Sequence, residues 1–565
     1  MNIPNLTSVA VSAVDGKITY TELNRRADSL AARLKSLGAG PETLIGLYFP
    51  RSISFVVGAV GIMKSGAAYL PIDPSTPADR VAAMLVDSQT RLVIASDPAA
   101  VPQGDWKVIT VDGSEAASEP VQEFPLDRLA YVIYTSGSTG TPKGVEITHA
   151  NLEHLIRWHN RAFSVTESDH ATLFASPGFD ASVWEMWPYL VKGATLHIPP
   201  DSIRAVPAAL RDWMLKEKVT IGFLPTALAE RMLDQKWPAA QTSLRFLLTG
   251  ADTLRRRPPA GLPFQLVNNY GPTECTVVAT SGVVTQGAGM PSIGAAIDGA
   301  VIDIRDGEIL IGGGGVARGY RNHPRLTAER FIHHPEHGRM YRTGDLAAWL
   351  PNKEITFEGR ADDQIKIRGF RIETNEIVCA LATNPLVRES AVVLRGPIDV
   401  EKRLVAYVVP NSAAELSERS LQESVRKSLP DYMMPAVFVM LAALPYTENG
   451  KLDRNALPEP NAANTIRDGD FAAPTNSLEG KIAEIICELL HLDRVAINDN
   501  FFLLGGHSLL GAQLVDRLNR DFSVELTLRS VFDYPTVEDL ASEIEAAILD
   551  RVESMSEEEA QRLLS

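Results

Sequence analysis

The chain has 565 residues, 45% hydrophobic and 22% charged, a globular composition long enough for three or four compact units at about 100–200 residues each. Its net charge of −16 argues against a nucleic-acid binder, which presents a basic face, and no Lys/Arg cluster is interleaved with aromatics. No apolar run approaches the roughly 18–20 residues of a membrane span, the first residues lack a signal-peptide pattern, and Cys275, Cys379 and Cys487 form neither a ligand spacing nor a disulfide framework. The expectation is a reduced, cytoplasmic protein with no nucleic acid or membrane among its partners.

From 17 to 350, short β-rich apolar runs (44–49, 68–71, 92–95, 130–134, 246–248) alternate with amphipathic helical stretches such as 54–64, which predicts α/β layering with buried strands. Residues 359–370 are charged and punctuated by glycine, as a connection between lobes would be. The stretch 372–445 reads as a small α+β unit with strands near 390–395, 404–409 and 437–441. Residues 459–476 have no apolar periodicity and read as a linker.

Beyond it, Leu478, Ile482, Ile485, Ile486 and Leu489 recur at helical spacing, as do Leu510, Leu514 and Leu518, and a third helix is expected over 536–548. Residues 475–548 carry 13 acidic against 5 basic side chains, half the chain's excess charge, a pattern that suits a solvated surface. Ser556 and Glu559 form a capping box in a short terminal helix. The domain scheme is a large lobe (1–360), a small lobe (361–458), the linker (459–476), a helical unit (477–550) and a tail (551–565).

Three segments carry chemistry. In 134–144 (YTSGSTGTPKG), three glycines, five Ser/Thr hydroxyls and one lysine follow a strand. Glycines let backbone N–H groups approach phosphate, hydroxyls add donors, and Lys143 offsets charge. A Walker-type loop needs G-x-x-x-x-G-K-[ST], which Pro142 and Gly144 do not fit; a Ser/Thr-rich surface turn is the other reading. In 268–274 (NNYGPTE), Tyr270 offers a face for a purine, Thr273 a phosphate donor and Glu274 one hard oxygen for Mg²⁺; an ordinary turn is the alternative. In 341–345 (YRTGD), Asp345 can accept both ribose hydroxyls, or simply cap a turn.

Taken together and in order, these segments resemble the adenylation domains of nonribosomal peptide synthetases, within the superfamily of adenylate-forming enzymes. Further stretches agree, among them 64–74 (KSGAAYLPIDP), 315–320 (GVARGY), 429–435 (LPDYMMP) and 449–454 (NGKLDR). The resemblance implies a large α/β N-terminal lobe and a small, mobile α+β C-terminal lobe. It implies that Thr135, Ser136, Gly137, Ser138, Thr139 and Gly140 cradle the phosphates of ATP, with Lys143 among the catalytic groups. Asn268 and Tyr270 would hold adenine, Asp345 the ribose, and Arg360 ribose and phosphate. Thr273 would contact the α-phosphate and Glu274 the Mg²⁺. Asp362 would be the hinge, and Lys451 would reach the carboxylate and phosphate oxygens. A lysine and a metal ion suit the meeting of two anions that carboxylate attack on phosphorus requires.

The segment 179–186 (FDASVWEM) resembles the family's pocket opening, with Asp180 as receptor for a substrate ammonium; a structural aspartate is the alternative. Motif alignment adds Ala181, Trp184, Phe223, Leu248, Gly250, Asn269, Val277 and Val278, with Lys451 at the mouth. The set is nearly all apolar and resembles the family's pattern for leucine; valine and isoleucine differ by about one methylene or its placement, worth only ~1–3 kcal/mol.

Residues 499–510 (DNFFLLGGHSLL) fail the hydrolase pattern G-x-S-x-G, because Leu510 stands at the last glycine. They resemble the peptidyl carrier domain, a helical bundle, and Ser508 would carry 4′-phosphopantetheine at a helix N-terminus, where an anion is favoured. Implied partners are a leucine-like amino acid, a phosphopantetheinyl transferase and a downstream condensation or tailoring enzyme in trans; a small MbtH-like activator stands among the candidates. The rival readings are an acyl-CoA ligase, which would want no Asp180, and an inactive scaffold, which would show damage at Lys451, Glu274 or Asp345. His333, His334 and His337 share one loop, which reads as polar surface rather than a metal site.

Overall fold

A computed structural model describes residues 3–111, 125–137, 141–361, 364–367, 370–395, 403–411, 416–446, 452–454, 456–461, 464–466, 472–490, 492, 494–501, 504, 506, 508–524, 526, 530–531 and 534–554. The chain divides into two compact units. The first holds Met1–Pro200, Arg211–Glu376 and Arg426–Pro430; the second holds Asp201–Leu210, Ile377–Val425 and Asp431–Ser565.

Among the described residues, the first unit is built on a nine-stranded and a seven-stranded sheet. The parallel centre of the larger one joins Ile221–Pro225, Phe246–Gly250 and Gln265–Tyr270, with Leu248 opposite Phe223 on one side and Val267 on the other. The smaller sheet sets Ala68–Ile72 and Leu44–Tyr48 in parallel, and Leu129–Thr135 turns back antiparallel into Lys143–Thr148. The apolar runs at 44–49, 68–71 and 92–95 are buried along their whole length, as strands covered on both faces must be. A third, five-stranded sheet contains Gly338–Trp349 and Ile355–Arg360. The hairpin of Gln364–Ile367 and Phe370–Glu373 follows and groups with this unit.

The helix Asp180–Lys192 buries every residue from Ser182 to Leu190. Gly193 ends it at φ 81, a left-handed cap where a Cβ would also stand 2.9 Å from Leu6. Glu185 on this helix is the fastening of the segment in front of it. Its carboxylate accepts from the backbone N–H of Phe174 (2.9 Å) and Ala175 (2.7 Å) and from the Thr172 hydroxyl (2.9 Å). Trp187 donates from Nε1 to the Tyr69 hydroxyl at 2.9 Å, tying the helix to the smaller sheet.

In the second unit, Val387–Arg395, Arg403–Pro410 and Val437–Met440 form a three-stranded sheet around Val393, Val405, Tyr407 and Val439. The helices Ser477–Leu490, Ser508–Phe522 and Val537–Ser554 share a separate core of Ile482, Ile486, Leu514, Leu518, Leu540 and Ile544. The stretch read as linker is partly structured. Met440 N–H donates to Asn464 O, and Ile466 N–H to Phe438 O, each at 2.8 Å, so Ile466 is buried along the sheet edge. The few apolar residues of this stretch follow neither a strand nor a helix period by which sequence could reveal such a contact. His334 is buried rather than on the surface, its Nδ1 accepting from the N–H groups of Glu336 and His337. Among the described residues no helix is long and apolar enough to cross a membrane.

Burial raises the Glu185 carboxyl to about 7, the N–H and hydroxyl donors only partly offsetting it. A carboxyl whose folded value lies above its ordinary 4.5 contributes stability that is complete below that ordinary value and lost as pH rises through about 7. Stability of the first unit should therefore fall between pH 4.5 and 7 by on the order of 3 kcal/mol from this group. Glu185→Gln should flatten that slope in urea unfolding curves taken across the range.

Candidate active site

The candidate side chains of the first unit converge where parallel strands end at their carboxyl edges, the place open α/β sheets offer to ligands. Phe223, Leu248, Gly250, Asn269 and Tyr270 all lie on the last residues of the three central strands. After Tyr270 the chain passes through Gly271, where a Cβ would meet Val277 O at 2.5 Å. Thr276 and Val277 then take φ 56 and 70. Two β-branched residues in left-handed backbone store strain of about 1–3 kcal/mol each. The turn is held by Thr276 donating to Gly315 O at 2.6 Å and Ala279 N–H donating to Tyr270 O at 2.8 Å.

Glu274, in this turn, is fully buried and surrounded by donors. Arg371 reaches its two oxygens at 3.0 and 2.8 Å, the Tyr320 hydroxyl donates at 2.7 Å, and Lys143 Nζ stands 3.6 Å away. Burial alone would raise the carboxyl; Arg371 and then Lys143 outweigh it and hold Glu274 well below the usual range. Burial, and next the charge of Arg371, push Lys143 down to about 8. Glu373 also acts on both cations, so the cluster is close to charge balance, with Lys143 placed to meet a phosphate. A cavity of about 480 Å³ beside them has Gly137, Thr141, Lys143, His323, Arg325 and one acid, Glu329, in its lining.

Thr135 ends the strand before the phosphate loop and pairs with Lys143 across the return. Ser136 Oγ donates to Arg371 O at 2.9 Å, and Gly137 N–H to Glu376 Oε1 at 3.3 Å. Ser138, Thr139, Gly140, Asp362 and Lys451 lie outside the described residues. Asp345 is buried, accepts from the Tyr270 hydroxyl at 2.6 Å and pairs with Arg360, which also donates to Thr343 O. Three predicted nucleotide-binding side chains thus meet. Asn268 donates to Ser292 O at 2.7 Å, and Asn269 bridges Thr249 O and the Ser281 hydroxyl.

Asp180 begins its helix and accepts from the Thr273 hydroxyl at 2.7 Å. Burial raises its pKa, against the hydrogen bonds from Thr273 and the Ala181 N–H. Trp184 and Phe223 stand edge to face at 5.6 Å, and Leu248, Val277 and Val278 are buried in the same core. Ala181 packs on that core. Gly250 has a second reason to be glycine: a Cβ would lie 2.5 Å from Asn269 O in the neighbouring strand.

Arg371, Tyr320 and Glu376 were not among the predicted site residues. Tyr320 ends the stretch 315–320 that carries part of the resemblance, Arg371 and Glu376 follow the charged connecting segment, and pairing partners 97 residues apart leave no local trace. Residues 4–321 match the family described as AMP-binding enzyme, 376–451 its C-terminal domain, and 480–544 the phosphopantetheine attachment site. The chain belongs to the AMP-binding enzyme family. A linear gramicidin synthase polypeptide of Brevibacillus parabrevis is 46% identical over 96% of the chain, and a surfactin synthase polypeptide of Bacillus subtilis (strain 168) 41% identical over 94%. The chain spans only 7% and 15% of those two relatives. A holo-form nonribosomal peptide synthetase protein of adenylation and peptidyl carrier domains, bound to a vinylsulfonamide inhibitor, superposes with TM-score 0.77 at 27% identity, over 95% of this chain and 94% of that one. An artificially fused adenylation–carrier di-domain from Klebsiella oxytoca, 24% identical with TM-score 0.67 over 95% and 96% of the two chains, shares the fold. In this AMP-binding enzyme the large α/β lobe, the small lobe and the carrier bundle follow one another as in those structures.

Removing Arg371 should strand Glu274 with only Lys143 for charge compensation. Arg371→Met should lower the stability of the first unit by about 3 kcal/mol, read from urea unfolding at neutral pH.

Proposed function

We propose that this chain activates an amino acid, L-leucine, as aminoacyl-AMP at the expense of ATP, and passes the acyl group to a phosphopantetheine thiol on Ser508. The observation that carries the reading is the hydrogen bond between Asp180 and Thr273, which joins a candidate ammonium receptor to a candidate phosphate donor beside the Glu274 cluster.

An amino acid with its ammonium at Asp180 would bring its carboxylate toward the phosphate donor Thr273, at the edge of the basic pocket. Its oxygen attacks the α-phosphorus of ATP, the acyl–oxygen–phosphorus link forms, and pyrophosphate leaves. Asp345 would accept the ribose hydroxyls while Arg360 holds Asp345 in place. Lys143 and the N–H groups of the phosphate loop would bind the phosphate oxygens, and Lys451 would add charge at the carboxylate. A buried carboxylate next to a basic phosphate cavity fits Mg²⁺, which takes few protein carboxylates and keeps phosphate oxygens; Glu274 would hold it, and the ion would neutralise phosphate charge. Arg371 then has to release Glu274. In the second step the thiol sulfur attacks the acyl carbon and AMP leaves. Ser508 opens the helix Ser508–Phe522, where a phosphodiester is favoured. Asp362 is the proposed hinge for the change between steps.

The apolar surroundings of Trp184, Phe223, Leu248, Val277 and Val278 support an aliphatic side chain, and valine and isoleucine should leak. A phosphopantetheinyl transferase, a downstream condensation or tailoring enzyme in trans and a small MbtH-like activator are the proposed partners, in the cytoplasm.

ATP–pyrophosphate exchange against the proteinogenic amino acids should be strongest with leucine and about 10–200-fold weaker with valine. Exchange only with acids lacking an amine would sink the reading in favour of an acyl-CoA ligase. Asp180→Ala should cut leucine exchange at least about a hundredfold, since the ammonium then has no partner. Ser508→Ala should keep exchange intact and abolish the mass increase of the loaded, phosphopantetheinylated chain.

A further inference from the structure

Trp184 is 2% exposed, and its indole N–H can only donate. Its acceptor is Nδ1 of His159, at 2.8 Å. His159 sits on the helix His149–Ala162 and is itself completely buried. An N–H donating to Nδ1 requires a neutral ring with its proton on Nε2, and burial keeps the ring neutral by lowering its pKa to about 3. Nε2 has no hydrogen-bond partner among the described residues. The ring is packed on aromatics: Phe163 at 4.8 Å, Tyr189 at 5.0 Å, and Trp184 edge-on at 88°. A buried imidazole that leaves one nitrogen unsatisfied is a costly residue for this place. A phenyl ring would keep the apolar contacts but leave the Trp184 N–H without its acceptor, so the Nδ1 acceptor is what the histidine contributes.

Aromatic rings pack the rest of the indole. Trp158 stacks on it at 6.5 Å and Phe223 meets it edge to face at 5.6 Å, contacts without the direction of a hydrogen bond. Trp158 also lines a surface cavity of about 450 Å³, so a single ring separates Trp184 from free volume. Among the described residues the hydrogen bond to His159 is the directional contact of the indole and engages its N–H edge. We propose that His159 is a specificity-determining positioning residue: by accepting from Trp184 it selects the indole orientation that sets the width of the amino-acid pocket. The inference rests on the pocket assignment above, and on Trp184 in particular. His159 touches no substrate; it acts through Trp184.

The test uses the full chain and the ratio of ATP–pyrophosphate exchange, measured as kcat/KM, between the best substrate and a bulkier competitor. For leucine the competitor is phenylalanine. His159→Phe keeps the ring contacts and removes the acceptor; it should lower the ratio about tenfold, the scale on which a pocket change of one methylene acts. His159→Asn keeps an acceptor where Nδ1 was and should hold the ratio within about twofold of the wild type. Thermal unfolding of both variants shows that folded protein is being compared. A wild-type ratio in His159→Phe overturns the proposal, as does an equal loss in His159→Asn. Trp184→Phe supplies an independent arm by removing the donor. In that background His159→Phe should change the ratio no further, and an additional change would overturn the proposal. If the wild type prefers an amino acid other than leucine, the leucine assignment fails. The ratio is then taken between that amino acid and its next larger homologue, and the same variants still decide the role of His159.

Discussion

A single buried carboxylate organises the centre of the large unit. Glu274 lies in a turn after a central strand, and an isolated charge there would cost several kcal/mol. Its compensation comes from three other places in the chain: Lys143 from the strand after the phosphate loop, Tyr320 from a strand of the same smaller sheet, and Arg371 from the hairpin beyond the third sheet. Each of these segments is therefore held by the same charge. Lys143 also borders the adjoining cavity, where it and Arg325 can meet phosphates.

The ligand-facing parts depend on how rigidly the surrounding backbone is fastened. Glu185 grips the N–H groups of Phe174 and Ala175 and so fixes the approach to Asp180. Thr276 and Val277 stay in left-handed backbone because Gly271 lets the chain pass within contact distance of Val277 O. The aromatic cage of Trp158, His159, Trp184 and Phe223 then defines the apolar side by ring contacts and one directional hydrogen bond. Strain, a buried acid and an unpaired imidazole nitrogen are local departures from what stability favours, and they cluster where a ligand would be selected.

Much of the architecture was legible because its signals are periodic. Strands at 44–49 and 68–71, the three strands of the small sheet and the three helices around Ile482, Leu514 and Leu540 follow from runs and spacings within each element. The 464–466 contact was not legible, since Ile466 and Phe471 stand in a polar, alanine-containing stretch without strand or helix periodicity. Nor was the burial of His334, whose ring meets its own turn on one side and Asp303 and Arg305, from about thirty positions earlier in the chain, on the other.

The sequence by itself determined which residue types stand together along the chain: the glycine- and hydroxyl-rich loop at 134–144, the acid and hydroxyl of Thr273 and Glu274, the Asp180 segment, and the serine of 506–508. These are local patterns, and local patterns survive in one dimension. Only the tertiary structure decided that Thr273 bonds Asp180, that Arg371 occupies the Glu274 carboxylate, and that His159 holds Trp184. Those pairings join residues from 25 to 97 positions apart, and nothing short of the packed sheets fixes their distances and directions.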